Sequence, residues 1–135
     1  MTPATPLISD ESLIEHIRAI KPDVQLIYFF GSRSNGQENA HSDWDLAVMC
    51  AHKLTPLERF ECANSMANRL NAEVDWVDLL DASTVLQMQI IQQGRVLLDN
   101  GAQDTFENQV FAMYAELQES RADILKDFEE GVNNG

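Results

Sequence analysis

Two short runs of this 135-residue chain carry residue types at a spacing suited to phosphate chemistry. Gly31-Ser32-Arg33 directly follows the apolar run Leu26-Ile27-Tyr28-Phe29-Phe30, and Asp43-Trp44-Asp45 opens a second apolar run, Leu46-Ala47-Val48-Met49. A glycine at the end of a strand permits positive φ and lets phosphate oxygens approach the backbone. Ser32 adds a hydroxyl and an N–H where a helical turn would favour an anion, and Arg33 is placed to meet a β- or γ-phosphate or leaving pyrophosphate. Asp43 and Asp45 alternate, so on a strand both project from one face. Two carboxylates side by side repel, and hard divalent cations with oxygen ligands are the natural bridge. Asp75, within Glu73-Val74-Asp75-Trp76-Val77-Asp78-Leu79-Leu80, is the candidate third ligand. It sits among apolar residues, where an uncompensated carboxylate is expensive. If its strand lies beside the second, Asp75 faces Asp43 and Asp45. Alternation turns Asp78 to the opposite face and leaves Glu73 on the same face, nearer the strand start. Three such carboxylates can hold two magnesium ions ~3.5–4 Å apart, and Asp75 can also accept a proton from an attacking hydroxyl.

The elements that must position these residues are legible along the chain. Ser9 or Asp10 caps a first helix with Leu13, Ile14, Ile17 and Ile20 on one face. Lys21-Pro22-Asp23 ends it, and Val24 to Phe30 is a strand. Ser32 to about Gln37 is read as a short helical turn, Asn39 to Ser42 as a loop, and Trp44 to Cys50 as the second strand. Thr55-Pro56-Leu57-Glu58 combines a capping threonine, a proline at the first helical position and a capping-box glutamate. Leu57, Phe60, Ala63, Ala67 and Leu70 are the expected buried face of that helix. Glu73 to Leu80 is the third strand, Ser83 to Gln93 a helix with Gly94 at its C′ position, and Arg95 to Leu98 a short edge strand. Phe106, Val110, Met113, Leu117, Ile124 and Phe128 stripe a long C-terminal helix, about 104–130. Residues 1–8 are expected to be a loose arm and Gly131 to Gly135 a disordered tail. Alternating strands and helices specify a single α/β domain, with a small mixed sheet, one central hairpin and flanking helices. Its core covers about 10–100.

Composition excludes several functions. A chain of this length fits one domain with a proper core. No apolar run approaches the ~20 residues of a membrane span, and the N-terminus lacks the basic and apolar regions of a secretory signal. Cys50 and Cys62 read as reduced core residues, so a cytoplasmic location is expected. The formal net charge of −13 opposes direct binding to nucleic acid, whose affinity comes largely from Lys and Arg. It is compatible with a nucleotide whose charge magnesium neutralises, and it favours a basic protein partner. His16, His41 and His52 show no zinc-ligand spacing, and Tyr28 and Trp76 are expected in the core.

With Gly31-Ser32, Asp43, Asp45 and Asp75 in this order, the chain resembles the minimal nucleotidyltransferases (MNT) of the DNA polymerase β-like superfamily. Over about residues 10–100 it looks closest to the MNT antitoxins paired with HEPN ribonuclease toxins, the MntA–HepT type. The resemblance implies a small polymerase β palm-like fold and transfer of AMP from ATP to a tyrosine of the toxin. It gives the phosphate role to Gly31 and Ser32 and the metal role to Asp43, Asp45 and Asp75. Antibiotic nucleotidyltransferases resemble the same core but add a domain for their acceptor. Here little chain remains beyond the core, so a bound protein must supply much of the acceptor's surroundings. Neutralisation of a partner by binding alone, or a small-molecule nucleotidyltransferase with a separate acceptor subunit, are the competing functions.

Overall fold

The computed structural model describes residues 8–31 and 44–133, with side chains to Lys126. Residues 1–7 of the expected arm over 1–8, the turn and loop between Ser32 and Ser42, His41, and the site residues Ser32, Arg33 and Asp43 lie outside the described residues. Four helices and four strands follow one another as α1 (Asp10–Ile20), β1 (Leu26–Phe30), β2 (Trp44–Met49), α2 (Pro56–Leu70), β3 (Val74–Asp78), α3 (Thr84–Gln93), β4 (Arg95–Asp99) and α4 (Gln103–Asn133). The strands form one mixed sheet ordered β3-β2-β1-β4. β1 runs antiparallel to both β2 and β4, while β2 and β3 are parallel. The central hairpin and the edge position of β4 match the sequence expectation, as does the α/β class.

The helix starts are set locally. Ser9 accepts from the Ser12 N–H, Ser83 accepts from the Leu86 N–H, and Thr55 and Glu58 make the full reciprocal capping box. Each cap satisfies amides that the first helical turn leaves without partners. α2 ends at Asn71, in the left-handed conformation with φ 50°, which a short polar side chain tolerates. Gly94 does close α3, but with φ −87°. Its glycine serves close approach, because a Cβ would come 2.7 Å from the Ile90 carbonyl oxygen.

Alternation along the strands divides the core into two layers. Trp44, Leu46, Val48 and Trp76 pack with Leu13 and Ile17 of α1 and Cys62, Met66 and Leu70 of α2. Tyr28, Ala47 and Met49 pack on the other face with Met88 and Ile90 of α3 and Phe106 and Val110 of α4. Tyr28 and Trp76 are core residues, as expected, and both cysteines are buried and free. Burial pushes the Cys50 thiol up to about 12, which suppresses thiolate chemistry there.

The buried face of α2 differs from the expected one. Leu57 and Phe60 are 65% and 63% exposed, and the core side is Cys62, Met66 and Leu70, with Ala63 and Ala67 half-buried. Leu70 is in the core as expected, but the contact face is centred on Met66, on the side of the helix away from Leu57 and Phe60. Two apolar stripes overlap in this sequence, and contact with the sheet selects the one bearing the adaptable Met66. The C-terminal expectation also changes: helix continues through Gly131, Val132 and Asn133, in place of a disordered tail from Gly131. Among the described residues no helix is long and apolar enough to cross a membrane.

Candidate active site

β1 ends at Gly31, whose φ is +84°, a conformation open to glycine and costly for L side chains. In the adjacent antiparallel register Phe30 lies opposite Asp45. The Asp45 carboxyl group folds over Gly31 and occupies the space a Cβ would need: its Cγ would stand 2.9 Å from that atom and its Cβ 3.2 Å. Glycine is therefore required twice, by its backbone conformation and by the carboxylate seated on it.

Across the parallel pair β2–β3, Asp45 is in register with Asp75, as Leu46 is with Trp76 and Ala47 with Val77. Register partners on neighbouring strands point to the same face at a strand spacing of about 4.8 Å. Asp45 and Asp75 thus occupy neighbouring register positions at one end of the sheet. The expected pairing of β2 with β3 is present, and it puts these two residues in register. Asp45 is half-buried and Asp75 exposed. A hollow of about 390 Å³, lined by Phe60, Ala63, Asn64 and Ala67 of α2 and by Glu73, Val74 and Asp75, opens beside the second carboxylate.

The reason given for Asp75 in the sequence is not the reason found. β3 is an edge strand, so Asp75 escapes the desolvation expected of a carboxylate inside an apolar run. The strand's buried carboxylate is Asp78, 3% exposed. It does face the other side, as alternation predicts, and it is fully employed there. Its two oxygens accept from the Leu54 N–H at 2.8 Å and the Leu80 N–H at 3.0 Å, tying the start of α2 to the end of β3. Asp78→Ala would strand both amides, the former buried, and is expected to cost about 2–4 kcal/mol of stability. Asp78→Asn, which keeps acceptor capacity, is expected to cost about half as much; chemical denaturation of the two variants would check the ranking.

Two further polar links were not foreseen. Arg95, on β4, donates to both oxygens of Asp10 at 2.6 and 2.9 Å and lies over the Phe29 ring at 5.3 Å. The hydrogen bond from Arg95 holds the Asp10 carboxyl below its ordinary range. This brackets the end of β1 from which Gly31 emerges. The Tyr28 hydroxyl donates to Glu107 at 2.5 Å, and Gln103 donates to the same oxygen at 3.0 Å, fastening α4 to β1. Burial, then the Glu107 contact, raises the Tyr28 phenol well above its usual range. Both links join residues about 80 positions apart, and neither has a local sequence signal.

Among the described residues no group of three or more His, Cys, Asp or Glu side chains gathers to hold a metal. Asp45 and Asp75 are in register, and carboxylate oxygens are hard donors whose chemistry suits magnesium better than a soft ion.

Comparison with known proteins agrees with this geometry. The family model for "Polymerase beta, Nucleotidyltransferase" matches residues 12–103. A protein adenylyltransferase MntA from Shewanella oneidensis is 39% identical over 121 residues, covering 89% of this chain and 87% of the relative. A second MntA, from Aphanizomenon flos-aquae, is 26% identical over 120 residues, covering 80% of each. The chain superposes on one in a crystal structure of a toxin–antitoxin with AMP-PNP, with TM-score 0.80 and 38% identity over 89% of this chain and 98% of the other. It also superposes on one in a tri-AMPylated Shewanella oneidensis HEPN toxin in complex with MNT antitoxin, with TM-score 0.72 and 38% identity over 87% and 93%. A glycine turn capped by a carboxylate, a second aspartate in register with it, and a family match spanning more than half the chain lead to one assignment: this protein belongs to the polymerase β nucleotidyltransferase family, among the MNT antitoxins.

Proposed function

We propose that this protein is a protein adenylyltransferase that moves AMP from ATP to a tyrosine hydroxyl of a cognate HEPN ribonuclease toxin and so silences it. The carrying observation is the seating of the Asp45 carboxyl over Gly31, level with Asp75. That arrangement supports a reading in which a phosphate-accepting turn begins at Gly31 beside the carboxylates of Asp45 and Asp75. The similarity to MntA adenylyltransferases and to a complex containing an AMPylated HEPN toxin supports the acceptor class.

In this reading the Gly31-Ser32 turn offers backbone N–H groups and a hydroxyl to the triphosphate, and Arg33 meets the β- or γ-phosphate. Asp43, Asp45 and Asp75 would hold two magnesium ions, which when bound supply positive charge to the triphosphate and acidify the acceptor hydroxyl. The tyrosine oxygen attacks the α-phosphorus, a new O–P bond forms, and the bond to the β-phosphate oxygen breaks, releasing pyrophosphate. Asp75, exposed at the sheet edge, takes the phenolic proton. The ATP requirement and the buried reduced cysteines support a cytoplasmic setting.

Intact-mass spectrometry of the toxin after incubation with this protein, ATP and magnesium tests the proposal. A mass gain of one or more AMP units on the toxin is expected, with loss of RNase activity. An unchanged toxin mass under saturating ATP, magnesium and antitoxin would sink it.

A further inference from the structure

Of the aromatic rings whose side chains are described, Phe60 is the most exposed, at 63% against 44% for Phe111. Core packing does not account for it, because α2 meets the sheet through Cys62, Met66 and Leu70. Phe60 instead heads a second stripe, with Ala63, Asn64 and Ala67 at i+3, i+4 and i+7. That stripe is one wall of the hollow of about 390 Å³ whose other wall is the start of β3. The two alanines leave the space open, Phe60 and Asn64 frame it with a ring and an amide, and Asp75 lines it from the strand. Its volume lies at the small end of ligand pockets, about 300–1,000 Å³, which suits one side chain and not a helix.

The order of the strands decides which part of the reaction meets this hollow. Across the sheet stand Gly31 at the end of β1, Asp45 on β2 and Asp75 on β3, and the hollow lies beyond. Two strand spacings separate β1 from β3, roughly 10 Å. In a displacement at phosphorus the attacking and leaving oxygens lie in line, on opposite sides of the reacting atom. With the β- and γ-phosphates on the turn at Gly31, the leaving oxygen is on the β1 side. The attacking oxygen then arrives from the β3 side. The nucleoside departs from the α-phosphorus through its 5′ oxygen, off that line. The hollow therefore lies on the acceptor's path and not on the path of the base.

We propose that this hollow seats the ring of the tyrosine that receives AMP, with Phe60 as the residue that selects an aromatic acceptor. This rests on the proposed function and refines it from a partner protein to the seat of one side chain. Phe60 meets the phenol ring in an offset or edge-to-face contact. Asn64 offers an amide donor and acceptor to the backbone of the segment that carries the tyrosine. A ring seated there brings its hydroxyl to Asp75, which takes the proton as the new O–P bond forms and pyrophosphate leaves. Serine and threonine, being short, would leave the hollow unfilled and their hydroxyls short of Asp75.

The test is single-turnover AMP transfer to the purified cognate HEPN toxin, at saturating toxin and ATP, for wild type, Phe60→Ala, Phe60→Leu and Phe60→Trp. The alanine and leucine variants are expected to lose ~30–100-fold in rate, the scale of a misplaced reacting group. The tryptophan variant keeps an aromatic face and is expected to recover to within ~5-fold of wild type. KM for ATP should stay within about twofold in all three, and the melting temperature within ~2 °C, because the ring is exposed. A packing role would lower the melting temperature and give Trp no advantage over Leu. If Phe60→Ala melts at a lower temperature than that, the comparison of Leu with Trp carries the test. Rates within about threefold of wild type for both Ala and Leu would overturn the inference, as would a leucine variant as active as the tryptophan one. So would a rise of about tenfold or more in KM for ATP with the saturated rate kept, since adenine would then occupy the hollow. A wild type that adds no AMP to the toxin would refute the proposed function itself, and the seat with it.

Discussion

Asp45→Asn is expected to lower AMP transfer at least ~1,000-fold while leaving the fold within about 1 kcal/mol of wild type. The substitution preserves size and removes the negative charge from the carboxyl group seated over Gly31. In its proposed role as a magnesium ligand, its loss would weaken the cation that stabilises transition-state charge, an effect on this scale. The structural cost is small because the side chain is half-buried at a strand start, outside both core layers. Asp75→Asn should show a similar direction with less effect on stability, because Asp75 is exposed. Single-turnover transfer assays beside thermal melts would separate the two quantities. Retention of more than a tenth of wild-type transfer in Asp45→Asn would mean that its charge is not part of the chemistry.

Gly31→Ala is expected to damage both activity and stability. At φ +84° an alanine costs about 1–2 kcal/mol in backbone strain. Its Cβ would also stand 2.9 Å from the Asp45 Cγ, so the carboxyl group must leave its seat. Displacement of a reacting group by about 1 Å can cost ~100-fold in rate, and a loss of at least that size in transfer is expected. The diagnostic comparison is with Asp78→Ala. That variant should be at least as destabilised, yet retain transfer below its melting temperature, because Asp78 lies on the opposite face and bonds only to backbone amides among the described residues. If both variants lost activity in proportion to stability, the contact between Gly31 and Asp45 would be structural.

Carboxylates serve different ends in this chain: Asp45 and Asp75 are in register on neighbouring strands at one end of the sheet, and Asp78 holds backbone amides of Leu54 and Leu80. Asp99 illustrates a third use of a carboxylate. One of its oxygens accepts from the N–H groups of Gly101, Ala102 and Gln103 at 2.8, 2.9 and 3.1 Å. These bonds hold its carboxyl below the ordinary range and set the direction in which α4 starts.

What the sequence alone determined is what depends on neighbours in the chain. Ser9, Thr55 with Glu58, and Ser83 mark helix starts because a cap is a contact across three residues. Asp45 and Asp75 are readable because a strand's alternation fixes the facing of its residues once the strand exists. The family followed from Gly31, Ser32, Asp43, Asp45 and Asp75 together, although Ser32 and Asp43 lie outside the described residues. Only the tertiary structure decided the rest. α2 carried two overlapping apolar stripes, and the sheet buried Met66 and Cys62 while leaving Leu57 and Phe60 outside. Asp75 and Asp78 were chemically alike in sequence; the edge position of β3 exposed one, and the amides of Leu54 and Leu80 buried the other. The stripe on α4 was equally apolar along its length, and the body is simply too short to cover it. Helical and strand periodicity fix which residues share a face, whereas the partner that face meets depends on contacts between residues far apart in sequence.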